Sequence, residues 1–142
     1  MKNLLVFGAI LFLLGLINGV AVPYFENPRM GLSAHLAGVQ NALVLLVFGL
    51  MWPYLSLSQT ALKICSTLSV YGMVAIWVSL VLAAVWGTSS ATPIAGAGYV
   101  GRDAQELMVN VLLYSGSIAI VIASVQVIVG LVNSKLMGNS AP

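Results

Sequence analysis

Apolar residues run through this chain in four long stretches, and polar ones gather in the gaps between them. The stretches cover residues 3–22, 34–55, 61–86 and 104–136. Each reaches the roughly 20 residues that a helix needs to cross a hydrocarbon core. None alternates apolar and polar positions as a barrel strand would, so helices are expected throughout. Pro23 closes the first stretch, and Trp52, Pro53 and Tyr54 give the second an interfacial end. Trp86 marks the far end of the third. The fourth is the longest and is expected to tilt or to extend past the lipid. The pattern predicts an all-α integral membrane protein, one domain built as a bundle of four transmembrane helices.

The first stretch follows Lys2, as the apolar part of a signal peptide would. It is longer than the usual 7–15 residues of such a segment and has no small-x-small cleavage site before Pro23, so it reads as a retained helix. Composition agrees with a membrane setting. The chain of 142 residues is 61% hydrophobic and 6% charged, where a soluble domain carries about a quarter charged residues. There is no basic patch for nucleic acid. The single cysteine, Cys65, has no partner in the chain and lies in an apolar run, which predicts a core residue.

Charge placement orients the helices. Lys2, Lys63 and Lys135 share one side, without acids. Arg29 and Arg102 lie on the other, against Glu26, Asp103 and Glu106. The positive-inside rule then puts both termini in the cytoplasm. The loop at 56–60 makes the second and third helices a hairpin. The loops at 23–33 and 87–103, both on the far side, are the places for irregular backbone. Gly15 and Gly19 form a GxxxG, with Gly8 on the same face. Such small residues allow close helix approach, within a subunit or between copies. A pocket is easier to enclose with several copies, so a homo-oligomer is expected.

Ionisable groups within a span are functional candidates, because lipid penalises them. His35, the only histidine, begins the second stretch; it suits iron, zinc or copper, a proton shuttle, or a plain bond to a loop carbonyl. Gln40 and Asn41 lie deeper and need partners. His35 and Asn41, six residues apart, point about 120° from each other around the helix. One pocket reaches both only by wrapping the helix. In the fourth helix Glu106, Asn110, Tyr114 and Ser117 fall on one face, as a polar seam or as the wall of a wet pocket with a catalytic carboxylate. Tyr71 in the third is an aromatic packing residue, or a phenol donor if it meets the pocket. Arg29 suits a pair with Glu26 or a headgroup phosphate. No serine-triad, phosphate-loop, dinucleotide or zinc pattern is present.

The segment NPRMGLSAHLAGVQNALVLLVFGLMWPYL (Asn27–Leu55), the stretch Tyr71–Gly87 that opens YG and closes AAVWG, and PIAG at Pro93–Gly96 resemble hydroxylaminobenzene mutases. These are small membrane enzymes of bacterial nitroarene degradation. The resemblance covers most of the chain. It implies a hydroxyl migration that turns an N-hydroxylarylamine into an ortho-aminophenol, with no redox cosubstrate, in a bacterial inner membrane. Ala34-His35, Asn41 and Pro53 also resemble a pattern of the more distant styrene oxide isomerases. That likeness implies a homotrimer holding haem b, with His35 as axial ligand to an iron acting as Lewis acid. It makes Asn41 a contact to the substrate oxygen or the pocket. The isomerases' aspartate in the third helix falls at Tyr71, a departure that bears on the substrate. Asn41, Tyr71 and Glu106 are the expected catalytic groups. Two other readings remain, a small-molecule carrier or efflux subunit and a non-catalytic membrane subunit, although broken inverted repeats, the mark of many carriers, are absent.

Overall fold

The computed structural model describes residues 1–134. Five helices follow one another: α1 (Lys2–Ala21), α2 (Pro28–Met51), α3 (Gln59–Trp86), the short α4 (Pro93–Gly96) and α5 (Asp103–Val132). Single 3-10 turns, Val22–Tyr24 and Trp52–Tyr54, finish α1 and α2 where Pro23 and Pro53 cannot continue a helix. The four long helices are all long and apolar enough to cross a membrane. Among the described residues there is no strand. Lys135 and Leu136, which entered the charge count and the end of the fourth stretch, lie outside the described residues.

The second helix starts six residues before the apolar run does. Asn27 is its N-cap: Oδ1 accepts from the Met30 backbone N–H at 3.1 Å, and Pro28 follows at the first helical position. Asn27 is buried and also works outward. Its Nδ2 donates to the Gly96 carbonyl at 2.9 Å, and its backbone N–H donates to Ala84 O at 3.0 Å. One residue thus joins the first loop to α4 and to the end of α3. There Gly87, left-handed at φ 68°, stops α3 with its N–H on Ala83 O.

The helices pack as an open row in chain order rather than as a closed bundle. α1 lies on α2, α2 on α3 and α3 on α5, while α5 makes at most marginal contact with α1 or α2. Glycine makes two of these approaches possible. A Cβ on Gly15 would come within 2.9 Å of Val39 N, and one on Gly38 within 2.9 Å of Gly15 Cα. At the other seam a Cβ on Gly72 would stand 2.8 Å from Gly116 O. The GxxxG of α1 is therefore spent on packing within the subunit. Between the glycines, Leu4, Leu11, Ala42, Leu45 and Met73 form one core cluster. Cys65 packs with Leu55, Ala123 and Val127 in another, its Sγ–H directed at Ala123 O at 3.7 Å.

Candidate active site

His35 stands two turns into α2, on the flank that meets α1. Its Nδ1 lies 2.8 Å from the carbonyl oxygen of Gly15. A carbonyl only accepts, so Nδ1 carries the proton and Nε2 keeps its lone pair. The ring fits because α1 has no side chain beneath it: a Cβ on Gly19 would be 2.6 Å from Nδ1 and 2.9 Å from Cε1. Nε2, on the ring edge farther from Gly19, has no hydrogen bond among the described residues. It is also absent from the buried atoms left without a partner, so it is accessible. A ring held at Nδ1 by a carbonyl and open at Nε2 is the state of a metal-ligating histidine. Asn18, a turn from Gly15, supports the same seam by donating from Nδ2 to Gly31 O at 3.0 Å.

Asn41 faces the other way. Its Nδ2 donates to Met73 O at 2.9 Å and joins α2 to α3, leaving Oδ1 without a hydrogen bond among the described residues. His35 and Asn41 thus lie on opposite flanks of α2, as their spacing requires. Tyr71 points out of α3 towards α5, with its hydroxyl 2.7 Å from Ser115 Oγ. It lines an apolar cleft of about 310 Å³ with Phe7, Val70, Val74, Ala75, Val78 and Leu112. Phe7 and Val74 also line a neighbouring cleft of about 200 Å³, which continues along α1 and reaches Trp77. The indole Nε1 of Trp77, beside Gly38, is buried without a partner.

Glu106 sits in the first turns of α5 with its carboxylate turned to the third loop. Oε1 accepts from Ser89 N at 3.0 Å and Gly101 N at 3.1 Å, while Oε2 accepts from Ser90 N at 3.0 Å and Ser90 Oγ at 2.6 Å. Four donors on one carboxylate make it a clasp for the loop. The Ser90 hydroxyl also lies 3.1 Å from Asn110 Oδ1. The polar stripe of α5 then divides: Tyr114 is exposed, and Ser117 donates to Leu113 O in its own helix. A Glu106→Gln variant puts an amide N–H₂ against these donors. We expect faster proteolysis between residues 88 and 101, through a local loss of about 1–3 kcal/mol, with the helices themselves intact by circular dichroism.

The four expected site residues are therefore spread over three helix seams and a loop, and no single pocket in one chain holds them all. Asn27, Asn18 and Ser115 are additions. Asn27 carried a signal, the Asn-Pro cap signature. The other two look like ordinary polar residues of a span. Among the described residues no group of three or more His, Cys, Asp or Glu could hold a bare metal ion.

A helical protein with four membrane-length spans and one carbonyl-anchored histidine is the class these features define. The chain belongs to the styrene oxide isomerase family, whose model matches residues 1–132. It is similar to hydroxylaminobenzene mutase HabB of Ectopseudomonas oleovorans, 41% identical over 140 residues that cover 98% of this chain and 85% of the relative. Hydroxylaminobenzene mutase HabA of the same organism is 38% identical over 125 residues, covering 87% of this chain and 93% of that one. No solved structure matches the chain. Membership makes the protein an enzyme of the isomerase and mutase class.

Proposed function

We propose that the protein converts hydroxylaminobenzene-type arylhydroxylamines to 2-aminophenols within the membrane. The observation that carries this reading is the 41% identity, over 98% of the chain, to a relative named for that activity. The reaction is an isomerisation. The N–O bond breaks, a C–O bond forms at the ortho carbon, that carbon loses a proton, and the nitrogen gains one. No oxidant or reductant is consumed.

His35 would hold the haem b, since its Nδ1–H is committed to Gly15 O and Nε2 is open. With no donor cluster for a bare ion among the described residues, a metal needs to bring most of its own ligands. Bound haem supplies an iron position with Lewis-acid character. The chain does the remaining work. The cleft beside Tyr71 is lined by apolar side chains and suits an aromatic ring arriving from the bilayer. Its lining keeps water from competing for the ortho carbon. Tyr71 contacts the hydroxylamino group, and Asn41 offers Oδ1 to an N–H. Glu106 holds the third loop, and any proton transfer through it first requires release of those contacts. Because His35, Asn41 and Tyr71 face different seams, a homotrimer in which neighbouring copies complete the pocket suits this arrangement. The lysines on the N-terminal side favour a bacterial cytoplasmic membrane with both termini inside.

The test is direct. Detergent-purified protein incubated with hydroxylaminobenzene should yield 2-aminophenol by chromatography, and it should show a Soret band. Absence of the product would remove the proposed activity. Turnover without a Soret band would remove the haem alone.

A further inference from the structure

Gln40 is left without a role by the site described above. It stands 12 residues after Pro28 and 11 before Met51, at the midpoint of α2. At 1.5 Å per residue that is about 18 Å from the start of the helix. Its side chain is exposed and makes no hydrogen bond among the described residues. Asn41 beside it turns inward to Met73 O, so one carboxamide serves the fold and its neighbour faces outward. An amide brings two N–H groups and an acceptor oxygen, and hydrocarbon satisfies none of them. The surface around Gln40 is apolar. Leu36, Leu43, Val47 and Leu50 are each at least 48% exposed and fall in line with it, in steps of four, three, four and three. On α1, Val6, Ile10, Leu13, Ile17 and Val20 make an exposed stripe of the same spacing with no polar member, and acyl chains suit it. The stripe of α2 differs by the one amide at its centre, and none of its members lines either apolar cleft.

We infer that this stripe is where α2 of one copy meets α2 of the next, with Gln40 as the polar contact of the interface. The inference rests on the homo-oligomeric reading above. The chemistry of the amide names the occupant. A carboxamide is self-complementary, with donor and acceptor on one group, and in a closed symmetric assembly a residue beside the axis meets its own copies. Gln40 donates from Nε2 to Oε1 of Gln40 of the partner subunit, and one such bond per copy closes a ring about the axis. Copies related by an axis along the membrane normal present their α2 helices in parallel. Steps of three and four are the spacing at which such helices interdigitate, and a single polar residue in the seam fixes their register. Polar side chains of this kind hold membrane helices together because lipid offers them no alternative partner.

The experiment follows the mass of the purified full chain by light scattering across a series of protein-to-detergent ratios. Gln40→Leu should raise the protein fraction at which half of the assembly dissociates about tenfold, with helical content unchanged. Gln40→Asn keeps the amide and should restore most of that loss. Cross-linking in native membranes gives a second measurement that does not depend on purification. Gln40→Cys should yield a disulfide-linked dimer on oxidation, whereas Leu13→Cys, on the exposed stripe of α1, should yield none. The buried Cys65 is the common background. If Gln40→Leu assembles like the unaltered protein and Gln40→Cys does not cross-link, this inference falls and the oligomer stands. If Gln40→Leu assembles normally but loses Soret absorbance or raises KM for hydroxylaminobenzene, the partner of the amide is a ligand, and the inference falls too. If the unaltered protein is a single copy at every ratio and neither cysteine cross-links, the seam and the oligomer fall together.

Discussion

Replacing Gly19 with alanine is expected to lower turnover of hydroxylaminobenzene roughly 10–100-fold while leaving the fold intact. The new methyl carbon would start 2.6 Å from His35 Nδ1 and 3.1 Å from Cγ. No real contact of that kind is so short, so one partner has to move. The obstacle is an imidazole ring at the end of a side chain, which yields more easily than two packed helices. As the ring swings away it loses the 2.8 Å bond to Gly15 O, and with it the orientation of Nε2. Soret absorbance per mole of protein should fall in step with activity, while the thermal midpoint in detergent changes little. Gly15→Ala provides the contrast. There the obstacles are backbone atoms, Val39 N at 2.9 Å and Gly38 C at 3.0 Å, so the helices have to separate and stability drops. Full cofactor content and full turnover in Gly19→Ala would show that the seam does not govern the histidine.

The second large effect is at His35 itself. His35→Ala should abolish the Soret band and reduce activity by about a hundredfold or more, the scale at which second-shell partners already matter. Truncation creates no clash and leaves a ring-sized space over Gly19, so the helices should remain packed. Added imidazole should enter that space, bond to Gly15 O through one nitrogen and restore part of both signals. A variant that keeps colour and turnover without imidazole would exclude His35 as the ligand.

The four spans were legible because lipid leaves a helix no alternative to a long apolar run. The start of α2 was less so. Arg29 and Ser33 dilute the apolar run before residue 34, whereas the helix obeys its cap, Asn27, and the proline after it. The divergence of His35 and Asn41 followed from helical geometry alone, but which neighbour each would meet did not. That depended on the order of the row. The clasp on Glu106 was hidden for a different reason. Its donors are mostly backbone N–H groups 16 and 17 residues away or in the turn before α5, and no residue type announces where a loop will aim its amides. The crossing at Gly72 and Gly116 was equally silent, since Gly72 is the lone glycine of α3 and the two of α5, Gly116 and Gly130, stand too far apart to form a GxxxG. GxxxG in α1 gave the right physics, with the choice between intrachain and interchain contact left open.

The open row has a consequence for how the chain is made. Each long helix packs chiefly on the one synthesised before it: α2 on α1, α3 on α2, α5 on α3. No helix has to wait for a later one, and none has to thread between two already in place. Segments leaving the insertion machinery one at a time can therefore dock in the order of their translation. Such nearest-neighbour contacts also keep loop-closure entropy small. Biogenesis can proceed as a simple lateral addition, with α5 laid against α3 once α3 is in place.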